Sequence, residues 1–216
     1  MLKEEFFRIL KEKIQPYFEN GGSHAFDHTE RVYNLAIKIG YKEKADLEVI
    51  KAAALLHDIA RLKEDNNECE CHAEHGAILA EKILNELNFP NEKLKNVIHS
   101  IQCHRHSKKI TAKTKEAKII QDADRLDALG AITIARMFST GGKINRPIYN
   151  PNIKIDPNKI HKGYYSDSTI HGFYTKILKI KPETFNTKIA KKLAKKRYKF
   201  VEKFLEEFFK EWYGKR

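Results

Sequence analysis

Residues 45–62 read ADLEVIKAAALLHDIARL, and the fold follows from them. Five apolar residues run unbroken from Ala52 to Leu56, with no glycine or proline nearby, and the run then turns polar at His57 and Asp58. Such a stretch predicts a helix over 45–62 that is buried on most sides. A carboxylate emerging from it is costly unless it meets a cation, so Asp58 predicts a metal ion or another positive partner. Helix neighbours point about 100° apart. An ion shared by His57 and Asp58 would therefore sit over the edge between them.

Helical periodicity extends outward in both directions. Residues 2–19 place Leu2, Phe6, Ile9, Leu10 and Ile14 on one stripe, and Asn20-Gly21-Gly22 breaks the chain. Ser23 then suits the N-cap of a second helix carrying Val32, Leu35, Ala36 and Ile39 inward and stopping at Gly40. The polar stretch 63–70 predicts a loop. Further helices are expected over 72–87, 91–104 and, as one long element, 113–138. Residues 141–163, GGKINRPIYNPNIKIDPNKIHKG, predict a long loop that is either a lid or a simple crossover. Two more helices are expected near 167–180 and 183–213. The last bears Phe200, Phe204, Leu205, Phe208 and Trp212, a stripe read as core or as a homodimer contact. No strand alternation is evident. The expectation is an all-α single domain over 1–216, with its core at about 20–140, the loop at 141–163 and C-terminal helices at 164–213.

The bulk composition fits that reading. A hydrophobic content of 41% with 32% charged residues is a globular balance and excludes a disordered chain. No apolar run is long enough to cross a bilayer, and the start, MLKEEFFRILKEKI, is neither a secretory nor a typical transit segment. A cytoplasmic protein without membrane partners is expected. Three cysteines, Cys69, Cys71 and Cys103, argue against a disulfide scaffold. Cys69, Cys71, His72 and His75 are too crowded for an ordinary structural zinc site. The net charge of +12, from 41 basic and 29 acidic residues, favours anionic partners. Its concentration in KIAKKLAKKRYK reads as a solvated helix face, and no nucleic-acid-binding motif accompanies it.

Two further acid or histidine positions stand in apolar surroundings. His28 lies one helical turn before Val32 and shares its inward face. Asp124 sits within IIQDADRLDALGA, where Asp122, Asp124 and Asp127 cannot all be buried. His28, His57, Asp58 and Asp124 together offer imidazole nitrogen and carboxylate oxygen, a set suited to a catalytic divalent ion.

The segments around these residues resemble the HD-domain metal-dependent phosphohydrolase superfamily, and most closely a small branch similar to nucleotide pyrophosphohydrolases. The resemblance is carried by His28-Thr29-Glu30-Arg31-Val32, by Leu55-Leu56-His57-Asp58-Ile59 and by Asp122 through Ala131. Gly141 to Tyr149 and Phe185-Asn186-Thr187 add to it, so that it spans about 20–210. One departure is that His171 stands one place before the position next to Phe173, where Gly172 lies instead.

The resemblance implies one divalent ion (Mn, Fe, Co, Ni or Zn) on His28, His57, Asp58 and Asp124, with room for a second ion. It implies hydrolysis of a small phosphorylated substrate, a nucleotide, by activated water, with Asp58 and His75 as catalytic groups. His24, Arg31, His104 and Arg125 are the matching candidates for the substrate. Alternatively, the two arginines bridge ligand helices, and His75 and His104 merely end helices. Arg146 either closes over a phosphate or lies on the surface. His72, His99, His106 and His161 follow no such pattern and are read as surface or packing residues. The competing class is a metal-binding regulator or nucleic-acid-binding module without turnover.

Overall fold

The computed structural model describes residues 2–18, 26–105, 108, 110–159 and 166–215. Ten α-helices and no strand occur among the described residues. The chain divides into two compact units, residues 1–124 and 125–216.

The first unit is organised around the stretch that opens the sequence reading. Helix α1 spans Glu4–Ile14, α2 Phe26–Glu43 and α3 Leu47–Leu56. Helix α4 spans Arg61–Asp65, α5 His72–Glu86, α6 Asn91–Cys103 and α7 Lys115–Asp127. Helix α3 is the hub, packed on α1, α2, α5 and α6. Its Ile50, Ala52, Ala53, Ala54, Leu55 and Leu56 are fully buried. Small alanines let neighbouring helices approach, and the larger side chains fill the space between them.

Several boundaries differ from the sequence expectation, three of them for a clear local reason. The helix expected over 45–62 is two helices, with His57–Ala60 in the turn between α3 and α4. There the His57 ring donates its Nδ1–H to the Ala54 carbonyl at 2.8 Å, and shorter-range bonds (Ile59 N to Leu56 O, Arg61 N to Asp58 O) close the turn. Gly40 does not end α2, which continues to Glu43. A Cβ at Gly40 would lie 2.4 Å from Ile50 Cδ1, so this glycine serves the close approach of α2 to α3. The long element expected over 113–138 breaks at Gly130, whose φ of 90° and ψ of −157° suit glycine alone. The stretch expected as a loop over 63–70 also begins helical, inside α4. The Ser23 cap lies outside the described residues.

The entry to α3 carries a testable contribution. Asp46 caps it, Oδ1 accepting the backbone N–H of Glu48 and Val49, while Oδ2 pairs with Lys93 Nζ at 2.8 Å. Burial works against the charged carboxyl, but Lys93 and the two amides outweigh it and hold its pKa below the ordinary value. The ionised cap therefore stabilises the fold above the ordinary carboxylate range and is lost as pH falls through the depressed value. Asp46→Ala is expected to cost about 1–2 kcal/mol at neutral pH. The gap from wild type should narrow in strong acid, measured by urea unfolding at both pH values.

In the second unit, α8 spans Ala131–Lys143, α9 Thr169–Thr175 and α10 Lys188–Trp212. Both α9 and α10 pack on helices or turns of this unit, α8 among them. The Gly/Pro-rich loop starts after α8, since Gly141 and Gly142 are still helical. It is pinned to α9 by Thr169 N to Pro147 O, Ile170 N to Ile148 O, and the His171 Nε2–H donated to Ile153 O at 3.0 Å. His171 is thus a buried strap for the loop, with Ser168 Oγ held at its Nδ1. On α10 the buried stripe is Ala190, Ala194, Tyr198, Val201 and Leu205. Phe200 and Trp212, expected on one stripe with Leu205, are 52% and 44% exposed. One phase of the helix is core, and their phase is not.

Candidate metal centre

Six side chains from five separate segments of the first unit approach one another. His28 projects from the start of α2 on the face of Val32, Ala36 and Ile39, all buried. His57 and Asp58 come from the turn after α3, His72 from the first residue of α5, His104 from the residue ending α6, and Asp124 from α7. His57 is wholly buried, and His28, Asp58, His72 and His104 are at most 5% exposed. The Asp124 side chain, at 29% exposure, is the open side.

The donors form two groups that share Asp58. His28, His57 and Asp58 make the first, and Asp58, His72 and His104 the second; within each, the ligand-type atoms lie within 4.8 Å of one another. Asp58 Oδ2 faces His28 Nε2 and His57 Nε2, each at 3.7 Å. Its Oδ1 faces His72 Nε2 and His104 Nε2, each at 3.3 Å. Asp124 Oδ1 reaches the first group through His28 Nε2 at 3.4 Å.

The hydrogen bonds on the far side of the rings decide what these nitrogens can do. A carbonyl or an ionised carboxylate only accepts. His57 Nδ1 therefore carries a proton for Ala54 O, His104 Nδ1 for Ile101 O at 2.7 Å, and His72 Nδ1 for Glu64 Oε2 at 2.6 Å. In the neutral rings each Nε2 is then a lone pair aimed inward. Yet His57 Nε2 lies 3.4 Å from His28 Nε2, and His72 Nε2 lies 3.2 Å from His104 Nε2. The facing lone pairs of His72 and His104 repel unless a proton or a cation stands between them, and the His57 lone pair needs one or the other from the His28 side. Ions bound at the usual metal–nitrogen distance of about 2.0–2.1 Å put neighbouring ligands roughly 3.3 Å apart in a tetrahedral set. The residues present therefore fit a divalent ion in both groups.

The electrostatics differ from ring to ring. Burial pushes the His57 pKa down to about 4, and His104 and His28 lower it further against the pull of Asp58 and Asp124. Burial also works against a charged His104, but the Asp58 carboxylate outweighs it and raises that pKa. For Asp124, burial opposes the charge, while the bond from His28 and the nearby rings hold it below the ordinary value.

The other candidates lie as follows. His72, read as a surface or packing residue, is 2% exposed and stands in the second group. The available signal was its phase: Gly76, Ala80 and Ile83, on the buried side of α5, follow it at four, eight and eleven residues. His75 is half-buried on α5 and belongs to neither group. Arg31 pairs with Asp27 at 2.7 Å on its own helix. Arg125 donates to Thr184 O and Oγ1 and lies over the Phe185 ring. Arg146 is half-buried, and His99 accepts the Lys113 N–H. Asp122 and Asp127 are buried, with Asp127 held by Arg136 at 2.9 Å. His24, His106 and His161 lie outside the described residues.

Comparison with known proteins finds relatives of the chain. The HD domain family matches residues 25–129. The chain is 30% identical to YpgQ of Bacillus subtilis (strain 168) over 181 residues, 81% of this chain and 77% of the relative. The crystal structure of an HD-superfamily hydrolase from Bacillus thuringiensis matches with a TM-score of 0.78 at 35% identity, covering 98% of each chain. The crystal structure of Bacillus subtilis YpgQ in complex with ADP matches with a TM-score of 0.72 at 27% identity, covering 96% of this chain and 95% of that one. No helix among the described residues is long and apolar enough to cross a membrane.

Proposed function

The chain belongs to the HD domain superfamily, and we propose from that premise that it is a metal-dependent phosphohydrolase acting on nucleotides. In its sharpest form it is a pyrophosphohydrolase, releasing pyrophosphate from a nucleoside triphosphate. A nucleotide phosphatase is the close variant.

The observation that carries the reading is one buried carboxylate, Asp58, with one oxygen toward each of two imidazole pairs. His28, His57, Asp58 and Asp124 would hold one divalent ion, and Asp58, His72 and His104 a second. Mn, Fe, Co, Ni or Zn suits two-histidine, carboxylate sets of this kind. Such ions polarise phosphoryl oxygens and make water a nucleophile near neutral pH. The protein's own part is to fix the rings in one tautomer, to keep bulk water from the buried sides, and to leave the Asp124 side open. Asp58 would also orient the attacking water. The binding of ADP by YpgQ supports a nucleotide as ligand.

The test is a screen of nucleoside tri-, di- and monophosphates with each divalent ion, with the products identified. Pyrophosphate from triphosphates is the expected result. Orthophosphate from monophosphates would favour the variant. No product from any pair, together with nucleic-acid binding that weakens steeply with salt, would replace the enzyme with a binding module.

A further inference from the structure

Glu64 sits on the short α4, outside both donor groups, yet one of its carboxylate oxygens is tied to one of them. Its Oε2 accepts the His72 Nδ1–H at 2.6 Å and the His72 backbone N–H at 2.7 Å. Arg105 Nη1 lies 3.0 Å from both Oε1 and Oε2. The Glu64 side chain is 19% exposed and the His72 side chain 3%. Burial opposes the Glu64 charge, but the two bonds from His72 and the Arg105 charge dominate and hold its pKa at about 2.

His72 is thereby set apart from the other two rings whose tautomer is fixed. His57 and His104 give their Nδ1–H to neutral carbonyls three residues back, at Ala54 and Ile101. Only His72 among the three gives it to a carboxylate. A charged acceptor holds the proton on Nδ1 more firmly and makes Nε2 a better electron donor. Arg61 Nη1 also lies 3.4 Å from His72 Nδ1. It cannot be the ruling partner, because a bare Nδ1 at 2.6 Å from a carboxylate oxygen would set two lone pairs against each other.

We propose that Glu64, clamped by Arg105, is the positioning residue that turns His72 into a ligand, so that the Glu64–His72 pair decides whether the centre holds one ion or two. The proposal rests on the two-ion reading of the Asp58, His72 and His104 group. The same carboxylate also caps the first turn of α5, and a purely structural role would end there. The tautomer of His72 separates the two.

The experiment uses the full chain, first stripped of metal by chelation, with imidazole nitrogen resonances recorded by NMR. In the wild type His72 is expected to carry its proton on Nδ1. In Glu64→Ala the proton should move largely to Nε2, whereas in Glu64→Gln, whose amide oxygen still accepts, it should stay on Nδ1. Titration with Mn²⁺ or Co²⁺ alone is the second readout. Two ions per chain are expected for the wild type and one for Glu64→Ala. Glu64→Gln should bind two, the second weakened by about 10–100-fold. A Glu64→Ala protein that keeps Nδ1–H on His72 and binds a second ion as tightly as the wild type would overturn the proposal. If Glu64→Ala does not fold, an unchanged second affinity in Glu64→Gln overturns it instead. Failure of the underlying reading looks different: wild type and His72→Ala would then bind the same number of ions.

Discussion

Asp58→Asn is expected to cost at least about a thousandfold in turnover, because it weakens every ion the centre can hold. Metal catalysis supplies several kcal/mol of transition-state stabilisation, and each 1.36 kcal/mol is tenfold in rate. The substitution keeps the shape of the side chain but exchanges one carboxylate oxygen for an N–H donor. Both oxygens face imidazole Nε2 atoms, at 3.3 and 3.7 Å. An amide donor answers those lone pairs where a carboxylate cannot. Without metal, the variant should therefore melt at the same temperature as the wild type or higher. With Mn²⁺ at a hundred times its dissociation constant, the wild type should gain about 2.7 kcal/mol per occupied site, while the variant gains almost none. Calorimetry with and without ion, beside a turnover assay, reads all three effects. Full hydrolysis with intact ion content in Asp58→Asn would remove Asp58 from the mechanism.

That the first group of donors was legible in sequence has a physical basis. His28, His57 and Asp58 stand next to apolar residues in helical phase, and a polar group in such a place needs a partner. His72 stands at a helix start after a polar turn, where a histidine is ordinary. Its phase on α5 marks it as buried, but its partners, Glu64 eight residues back and Asp58 fourteen back, are a pairing that periodicity does not carry. His104 falls between the two cases, at a helix end with its ring turned onto its own backbone. The fold shows the same divide. The all-α class and the positions of most helices follow from spacing, whereas the turn at His57–Ala60 does not, because neither glycine nor proline marks it. There the His57 ring does the work of a breaker. Gly40 misled for the opposite reason: its missing side chain answers to α3 rather than to its own backbone.

Phe173→Ala carries the largest expected loss of stability. The ring is wholly buried on the seven-residue α9, with centroids 6.1 Å from Phe138 and 5.9 Å from Phe204. A buried aromatic withdraws about 150–250 Å² from water, and truncating one typically costs about 3–5 kcal/mol. Part of the hole can be recovered, since Phe138 and Phe204 are only half-buried and can lean inward. The residues fixed by hydrogen bonds cannot follow. The backbone N–H groups of Thr169 and Ile170 are tied to the loop, and His171 is tied to Ile153. A loss near the middle of the range, or roughly 10 °C in melting temperature, is therefore expected. Phe200→Ala is the control, the same residue type on α10 but 52% exposed, and it should stay within about 0.5 kcal/mol of wild type. Urea unfolding of both variants, with amide exchange resolved over 166–205, tests the assignment. Equal losses in the two would mean that Phe200 is covered in solution, and a homodimer contact, one of the two readings of the α10 aromatics, would then be the first explanation to examine.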